Sequence, residues 1–204
     1  MIFEGEIHMK KLFTILLLII FYKPLVAKEG EMGFGFDIGY GIMDIGAKDT
    51  AQTIANLSGS TVTYSYDYGA LAGRLYLDYG LTSELSLEAG YFQSGDLEAK
   101  YTLSGATVTE TYSVNGIDIS AVYSPEDQGY FFKTGFHSSE ISGNASITIS
   151  GTTYAAKATA DGSGYLIGGG FDYGDSSRVG YTYYSDIGGE SDANIGYLYY
   201  GWKF

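Results

Sequence analysis

The sequence predicts an all-β fold: a transmembrane eight-stranded antiparallel up-and-down β-barrel with long extracellular loops and short periplasmic turns. Three observations predict it. Eight segments alternate bulky apolar residues with small or polar ones at a period of two. The connections between these segments alternate between long and short along the chain. The N-terminal region has the parts of a cleavable secretory signal.

The secretory signal comes first in the chain. Lys10 and Lys11 precede an apolar run, 12–22, which is followed by a short segment ending at Ala27. The run has about 11 residues, which is too short to cross a bilayer of roughly 30 Å as a helix. Cleavage after Ala27 is therefore favoured over a permanent membrane anchor.

The same region indicates where translation starts. Met9 stands directly before the lysine pair, whereas the preceding segment, 1–8, carries two glutamates that do not suit a positively charged signal start. We therefore expect Met9 to be the true start. The expected organisation is a signal peptide over 1–27 and a barrel over 28–204.

The strands follow one another from residue 34 to the end of the chain. Each is up to about ten residues long, which suits a tilted strand that crosses a membrane. In the first, Phe36, Ile38 and Tyr40 share one face, while Asp37 and glycines occupy the other. The eight predicted strands are 34–42, 71–79, 85–91, 117–123, 130–137, 165–173, 178–183 and 197–204.

The connections predict the direction of the barrel. Three long ones, 43–70, 92–116 and 138–164, alternate with short ones after the second, fourth and sixth strands, and the last loop, 185–193, is of intermediate length. A meander gives this alternation when all long connections lie at one end. In outer-membrane barrels that end is extracellular, and the tight turns are periplasmic.

Composition excludes several classes of protein. The 204 residues include 30 Gly and 21 Tyr but no Cys, which excludes disulfides and thiolate chemistry. The net charge of −13 argues against a nucleic-acid partner, because a phosphate backbone requires a basic surface. A soluble barrel or β-sandwich is the alternative fold, but its bulky faces would point inward. Here the opposite faces are rich in Gly and Ala, which suits a narrow lumen.

The last strand carries the most specific resemblance. It ends in alternating hydrophobic residues and a terminal aromatic: Leu198, Tyr200, Trp202 and Phe204. With this ending, the signal and the meander, the chain resembles the OmpA/OmpX-type family of small outer-membrane barrels, which includes opacity-type surface antigens. The resemblance covers the chain from about Gly33 to Phe204. It implies a bacterial outer-membrane location and recognition of the last strand by the outer-membrane assembly machinery.

The barrel interior is predicted to be charged. If the bulky faces contact outer-membrane lipid, nine charged residues point inward: Asp37, Arg74, Asp78, Glu88, Asp118, Lys133, Asp172, Arg178 and Lys203. Buried charges are costly unless paired, so we expect salt bridges that plug the lumen. Because acids outnumber bases, a narrow cation-preferring pore is the alternative.

One short motif raises the possibility of an enzyme. His137, Ser139 and Glu140 are of the residue types that outer-membrane lipid-A deacylases combine. His137 and Ser139, however, share the predicted lumen face, whereas lipid hydrolysis requires the lipid side. We therefore predict no enzyme, with no catalytic, cofactor-binding or metal residues and no cofactor; a lipid-modifying enzyme stays the second alternative.

The long connections suggest a contact surface. The segments 58–67, 101–109 and 145–154 alternate Thr or Ser with Val, Ile or Tyr, which are β-formers. They predict either a sheet that protrudes beyond the membrane, with an edge able to recruit another chain, or simply solvated loops. The predicted function is structural or adhesion-like, carried out by a monomer that contacts a surface protein or host ligand through its loops.

Overall fold

The structure, a computed structural model, describes residues 29–44, 46–103, 106–125, 128–149, 152–174, 176–189 and 193–204. The predicted signal peptide and the start at Met9 lie outside these residues. Ten strands and one helix make up most of the described chain. They are β1 (Met32–Asp44), α1 (Ala47–Ser58), β2 (Thr63–Tyr66), β3 (Gly69–Gly80), β4 (Leu85–Ser94), β5 (Leu97–Leu103), β6 (Ala106–Tyr123), β7 (Tyr130–Ile149), β8 (Thr152–Tyr173), β9 (Ser177–Tyr184) and β10 (Asn194–Lys203).

Eight of the strands close into a ring. Every strand pairing is antiparallel, and the order around the ring is β1, β3, β4, β6, β7, β8, β9 and β10, which returns to β1. A closed ring leaves no unpaired edge at membrane depth, as a lipid environment requires. The predicted eight-stranded antiparallel barrel is confirmed. Among the described residues, no helix is long and apolar enough to span a membrane.

The outer face of the ring is apolar. Leu71, Ile117, Phe132 and Leu198 expose between 58% and 68% of their surface, although they lie within regular strands. Aromatic residues flank this belt towards both strand ends; Tyr79 lies at the short-turn end and is likewise exposed. Such a belt is unfavourable in water and favourable against lipid tails. The ring therefore spans a membrane, with its apolar faces directed outward.

The long connections are more ordered than the sequence predicted. The second and third long connections, expected as loops, are mostly strand, because β6, β7 and β8 continue well past the ends of β1, β9 and β10. The strand β5 pairs with the upper part of β6, and β2 pairs with β5. The result is a five-stranded sheet, β2-β5-β6-β7-β8, that protrudes beyond the ring. The sequence-based hypothesis of a protruding sheet describes this architecture.

Two lumen-facing glycines on β1 differ sharply in the space around them. A Cβ added to Gly39 would lie 1.9 Å from the carbonyl oxygen of Leu198, whereas at Gly41 the nearest atom would lie 3.6 Å away. We expect Gly39→Ala to destabilise the barrel by about 1–3 kcal/mol, because the neighbouring backbone must shift. Gly41→Ala is the matched control and should be almost neutral. Urea unfolding of both variants checks this, and equal stabilities would contradict it.

Candidate functional site

Six of the nine charged residues predicted to face the lumen come together in one buried cluster. Each exposes 5% or less of its surface. The cluster contains three cations and three anions, so its formal charge is zero: Asp37, Arg74, Glu88, Asp118, Lys133 and Arg178. We call these residues the lumen charge cluster. Because the charges balance, every charge in the cluster can be paired without solvent.

Arg74 forms the centre of the cluster. Its Nε and Nη2 donate to the two carboxylate oxygens of Asp118, at 2.8 and 2.6 Å, and its Nη1 donates to Glu88 at 2.7 Å. The same Nη1 lies 3.5 Å from Asp37, which is the residue directly opposite Arg74 in the β1–β3 register. A two-pronged guanidinium–carboxylate pair of this kind is among the stronger hydrogen-bonded arrangements in proteins.

Arg178 joins the cluster from the other side of the lumen. Its Nε and Nη2 donate to Asp37, at 3.2 and 3.1 Å, and its Nη1 donates to the second oxygen of Glu88 at 2.7 Å. Lys133 donates to Glu88 at 3.1 Å. Glu88 therefore receives three cationic partners, and the Arg178 guanidinium also lies 4.5 Å from the centre of the Tyr76 ring.

Two glycines make room for these contacts. Gly201 on β10 lies between Asp37 and Arg178 in the strand register, and a Cβ there would lie 2.1 Å from the Asp37 carboxylate. Gly90 on β4 is directly opposite Asp118, and a Cβ there would lie 2.7 Å from Arg74 Nε. The sparse face that the sequence predicted for the lumen thus accommodates the long arginine side chains.

The three other predicted lumen charges lie nearer the short-turn end. Lys203 and Asp172 form an ion pair of 2.9 Å, and their side chains are 15% and 20% exposed. Asp78 is half-buried and lies directly opposite Glu88 in the β3–β4 register. The structure thus does not place these three residues in the central cluster. Asp172 and Lys203 form a separate pair near the short-turn end of the barrel.

Above the charge cluster the lumen is filled by apolar side chains and closed by a turn. Ile187, in the short 3-10 turn Ile187–Gly189, is fully buried and packs in the apolar core of the barrel. Gly188 donates its backbone N–H to Ser139 Oγ at 3.1 Å and has a φ of 66°. A side chain there would be strained and would meet Ile141 at 2.5 Å. The turn is the feature of the lumen that sequence reasoning missed; the Gly188-Gly189 pair marks it.

The three residues of the types found in lipid-A deacylases have separate partners. His137 Nε2 lies 2.6 Å from the carbonyl oxygen of Ser185, and Ser139 binds the turn at Gly188. Glu140 accepts a hydrogen bond from Ser142 at 3.1 Å on the opposite face of the strand. No hydrogen bond among the described residues joins His137 to Ser139 or Glu140. Within the same residues, no group of three or more His, Asp or Glu side chains is arranged to hold a metal ion.

The residues of the predicted assembly signal lie on the outer face of β10 and just beyond it. Leu198 and Tyr200 are exposed, and the Trp202 ring stacks on Phe36 of β1 at 4.7 Å between ring centres. Phe204 stacks on Phe34 at 5.2 Å. These contacts hold the last strand against the first where the ring closes. Recognition of this ending by an assembly machinery stays a prediction.

The protruding sheet is the second candidate site. On β8, residues 152–159 are all exposed and pair with β7 alone, since the ladder with β9 begins at Leu166. The part of β8 above the ring therefore presents an unpaired edge in the described chain. On β6, in the middle of the sheet, Tyr112 donates to Glu110 at 2.7 Å. Burial and this hydrogen bond raise the pKa of Tyr112, which keeps its hydroxyl protonated.

The protruding region is acidic. The described residues in 44–67, 95–113, 140–161 and 185–189 contain nine acidic and three basic side chains, a net charge of −6. The acidic residues are Asp44, Asp49, Asp67, Asp96, Glu98, Glu110, Glu140, Asp161 and Asp186. The basic residues are Lys48, Lys100 and Lys157, of which Lys100 pairs with Glu98. A negative potential above the membrane favours cationic partners and repels anionic ones.

Comparison with solved structures identifies barrels of the same kind. Ail, the attachment invasion locus protein of Yersinia pestis, in complex with the heparin analogue sucrose octasulfate, matches with a TM-score of 0.52 and 13% identity, over 84% of this chain and 99% of that chain. Neisserial surface protein A matches with a TM-score of 0.44 and 16% identity, over 84% and 95%. OprG from Pseudomonas aeruginosa matches with a TM-score of 0.47 and 8% identity, over 88% and 99%.

These similarities concern the fold. No protein-family model matches the sequence, and no curated protein matches it. The match to Ail shows that the chain has the fold of small outer-membrane barrels, so the resemblance seen in the sequence is confirmed at that level. Together with the apolar belt, this fold assigns the chain to the bacterial outer membrane.

Proposed function

We propose that this chain is a monomeric, non-enzymatic outer-membrane barrel whose protruding sheet contacts a protein at the cell surface. The observation that carries the proposal is the five-stranded sheet that continues beyond the ring and, within the part of the chain that the structure describes, leaves the β8 edge, 152–159, unpaired. An unpaired strand edge can add a strand from another chain. The membrane ring, in contrast, is closed, and its lumen is filled.

The charge of the sheet restricts the partner. Ail has been crystallised with a heparin analogue, which is a polyanion. The net charge of −6 in the protruding region of this chain opposes such a ligand, since like charges repel across an interface. We therefore expect a partner with a basic surface rather than a sulfated polysaccharide.

Trimming the β7–β8 hairpin tests the proposal. Residues 144–157 are replaced by Asn-Gly, which closes a two-residue turn between the paired residues Gly143 and Ala158. We expect bacteria displaying the trimmed protein to lose at least about tenfold in binding to immobilised basic extracellular proteins, because the unpaired edge is removed. The intact protein should not bind heparin-coated wells.

Folding and specificity need their own controls. Heat-dependent gel mobility should show that the trimmed barrel still folds, since the pairings of β7 and β8 within the ring are kept. A Leu81→Ser variant changes the surface at the opposite end of the barrel and should bind as the wild type does. Unchanged binding after trimming, or firm binding to heparin, would contradict the proposal.

A further inference from the structure

One face of the protruding sheet is largely apolar and half covered; its acidic residue is Glu110 of β6, which is paired with Ala99 and Ala145. The helix α1 packs Ala47 and Ala51 against Ala99 and Tyr101 of β5, with Ile54 beside them. This contact covers the β2–β5 half of the face with a helix that has small residues at the interface. The same face continues across β6 onto β7 and β8, where the described chain supplies no second helix.

The half without a helix is built from four directly opposed pairs of residues, of which the pair nearest the ring also lies against the turn at Gly188. They are Ile141 and Ala160, Gly143 and Ala158, Ala145 and Ala156, and Ile147 and Tyr154. We call these eight residues the open face. All are apolar, whereas the residues between them on β7, such as Ser142, Asn144 and Thr148, are polar. The sheet is thus amphipathic here, although the apolar side lies beyond the membrane.

The open face borders a groove of about 480 Å³. Ile141, Gly143, Ala158 and Ala160 form one wall, and Tyr112 lies beside Gly143 at its edge. The opposite wall includes Met43, Asp44, Asp49 and Ala193. The groove therefore has one apolar wall and, opposite it, a wall that carries two carboxylates. An apolar surface with a polar rim, exposed outside the lipid, is typical of a protein contact site.

We propose that the open face docks an amphipathic helix of a partner protein, which lies beside α1 and directs basic residues towards Asp44 and Asp49. This inference deepens the proposed function, on which it rests, by naming the partner's structure and charge. Two strands span about 10 Å, which is the width of one helix. The small residues Gly143, Ala145, Ala156 and Ala158 allow a helix to approach closely, as Ala99 does beneath α1.

A helix covers the apolar side chains of the open face more completely than an added strand does. A strand added to the β8 edge would extend the sheet sideways and leave Ala156 and Ala158 uncovered. A helix laid across the face removes these side chains from water, which is the larger apolar gain. The carboxylates of Asp44 and Asp49 would then attract basic side chains at the helix surface, and they would repel acidic ones.

A peptide-binding measurement with matched variants tests this docking. The probe is a fluorescein-labelled synthetic helix of about 18 residues, with Ala and Leu on one face and Lys on the other. Its binding to the full chain in zwitterionic nanodiscs is measured by fluorescence anisotropy, with empty nanodiscs as background. We expect Ala158→Gln to weaken binding at least about tenfold, because the bulky polar side chain blocks the open face. Thr111→Gln lies on the opposite face of β6, outside the β8 edge, and should leave binding unchanged.

The attraction between basic residues of the helix and the two carboxylates is tested separately. A probe with Glu in place of Lys should bind at least about tenfold more weakly, and added salt should weaken the Lys probe, because exposed charges are screened. Equal binding by the Thr111→Gln and Ala158→Gln variants would overturn the inference. So would stronger binding of an extended peptide of the same composition, or pairing of two copies of this chain that Ala158→Gln abolishes.

The outcome is distinguishable from a failure of the proposed function. If trimming residues 144–157 abolishes surface binding while Ala158→Gln has no effect on either assay, the sheet contacts its partner by another face or by its edge. The proposed function then stands, and the helix docking fails. If trimming has no effect on surface binding, the proposed function itself fails.

Discussion

Arg74→Ala should lower the free energy of unfolding by about 3–5 kcal/mol, which is the usual cost of removing one partner from a buried ion pair. Arg74 supplies both donors to Asp118 and one to Glu88, and all three side chains are almost fully buried. The substitution leaves Asp118 without its bidentate partner. Urea unfolding in lipid vesicles measures the loss, and the fluorescence of the single tryptophan, Trp202, reports it.

Two further variants separate pairing from simple loss of volume. Lys203→Ala removes one partner of the pair with Asp172, which is partly exposed, and should cost less than about 1 kcal/mol. The double variant Arg74→Met, Asp118→Leu removes both charges and should recover part of the stability lost in Arg74→Ala. An unchanged unfolding curve for Arg74→Ala would refute the charge network.

The ring strands could be predicted because contact with lipid favours an apolar side chain at every second position. A strand that crosses a membrane turns alternate side chains to lipid, so the bulky positions of 71–79 or 117–123 mark both the strand and its outward face. The same alternation indicated that Asp37 and Arg74 point inward. Several strands are longer than predicted because they continue beyond the membrane, where contact with lipid no longer marks alternate positions with bulky apolar side chains.

The protruding sheet was only partly predictable. The alternation in 145–154 indicated extended structure, but nothing local to that segment says which strand pairs with which. The helix α1 also escaped prediction, because it is only 12 residues long and its buried residues are the small Ala47 and Ala51. Ala47 and Ala51 are buried because the β5–β6 pairing places Ala99 and Tyr101 beneath them.

The orientation of the lumen charges could be predicted from the sequence, but their pairing could not. Asp37 and Arg178 lie 141 residues apart and meet because β10 separates their strands with Gly201 at the crossing point. This contact depends on the register of two strand pairs at the closure of the ring. Alternation sets the face of a residue, whereas register sets its neighbours, and long-range register has no local sequence signal.

The intact protein should show no discrete single-channel openings in a planar lipid bilayer. The lumen charge cluster occupies the interior, and above it a cavity of about 20 Å³ lies among Phe92, Val114, Tyr184 and Tyr197. This volume is close to the minimum for one water molecule, so no hydrated ion fits within it. Ile187 packs into the same apolar core from the loop side.

The turn that closes the lumen and the lumen charge cluster can be tested separately in the same bilayer. Ile187→Gly removes the buried side chain of the turn, yet it should leave the membrane silent, because Arg74 and Arg178 still hold the cluster together beneath it. Steady openings of the wild type that change with Arg74 or Asp118 substitutions would instead make the cation-preferring pore the leading function. The excess of acidic over basic residues would then act on ions at the mouth of a conducting path rather than on a protein partner.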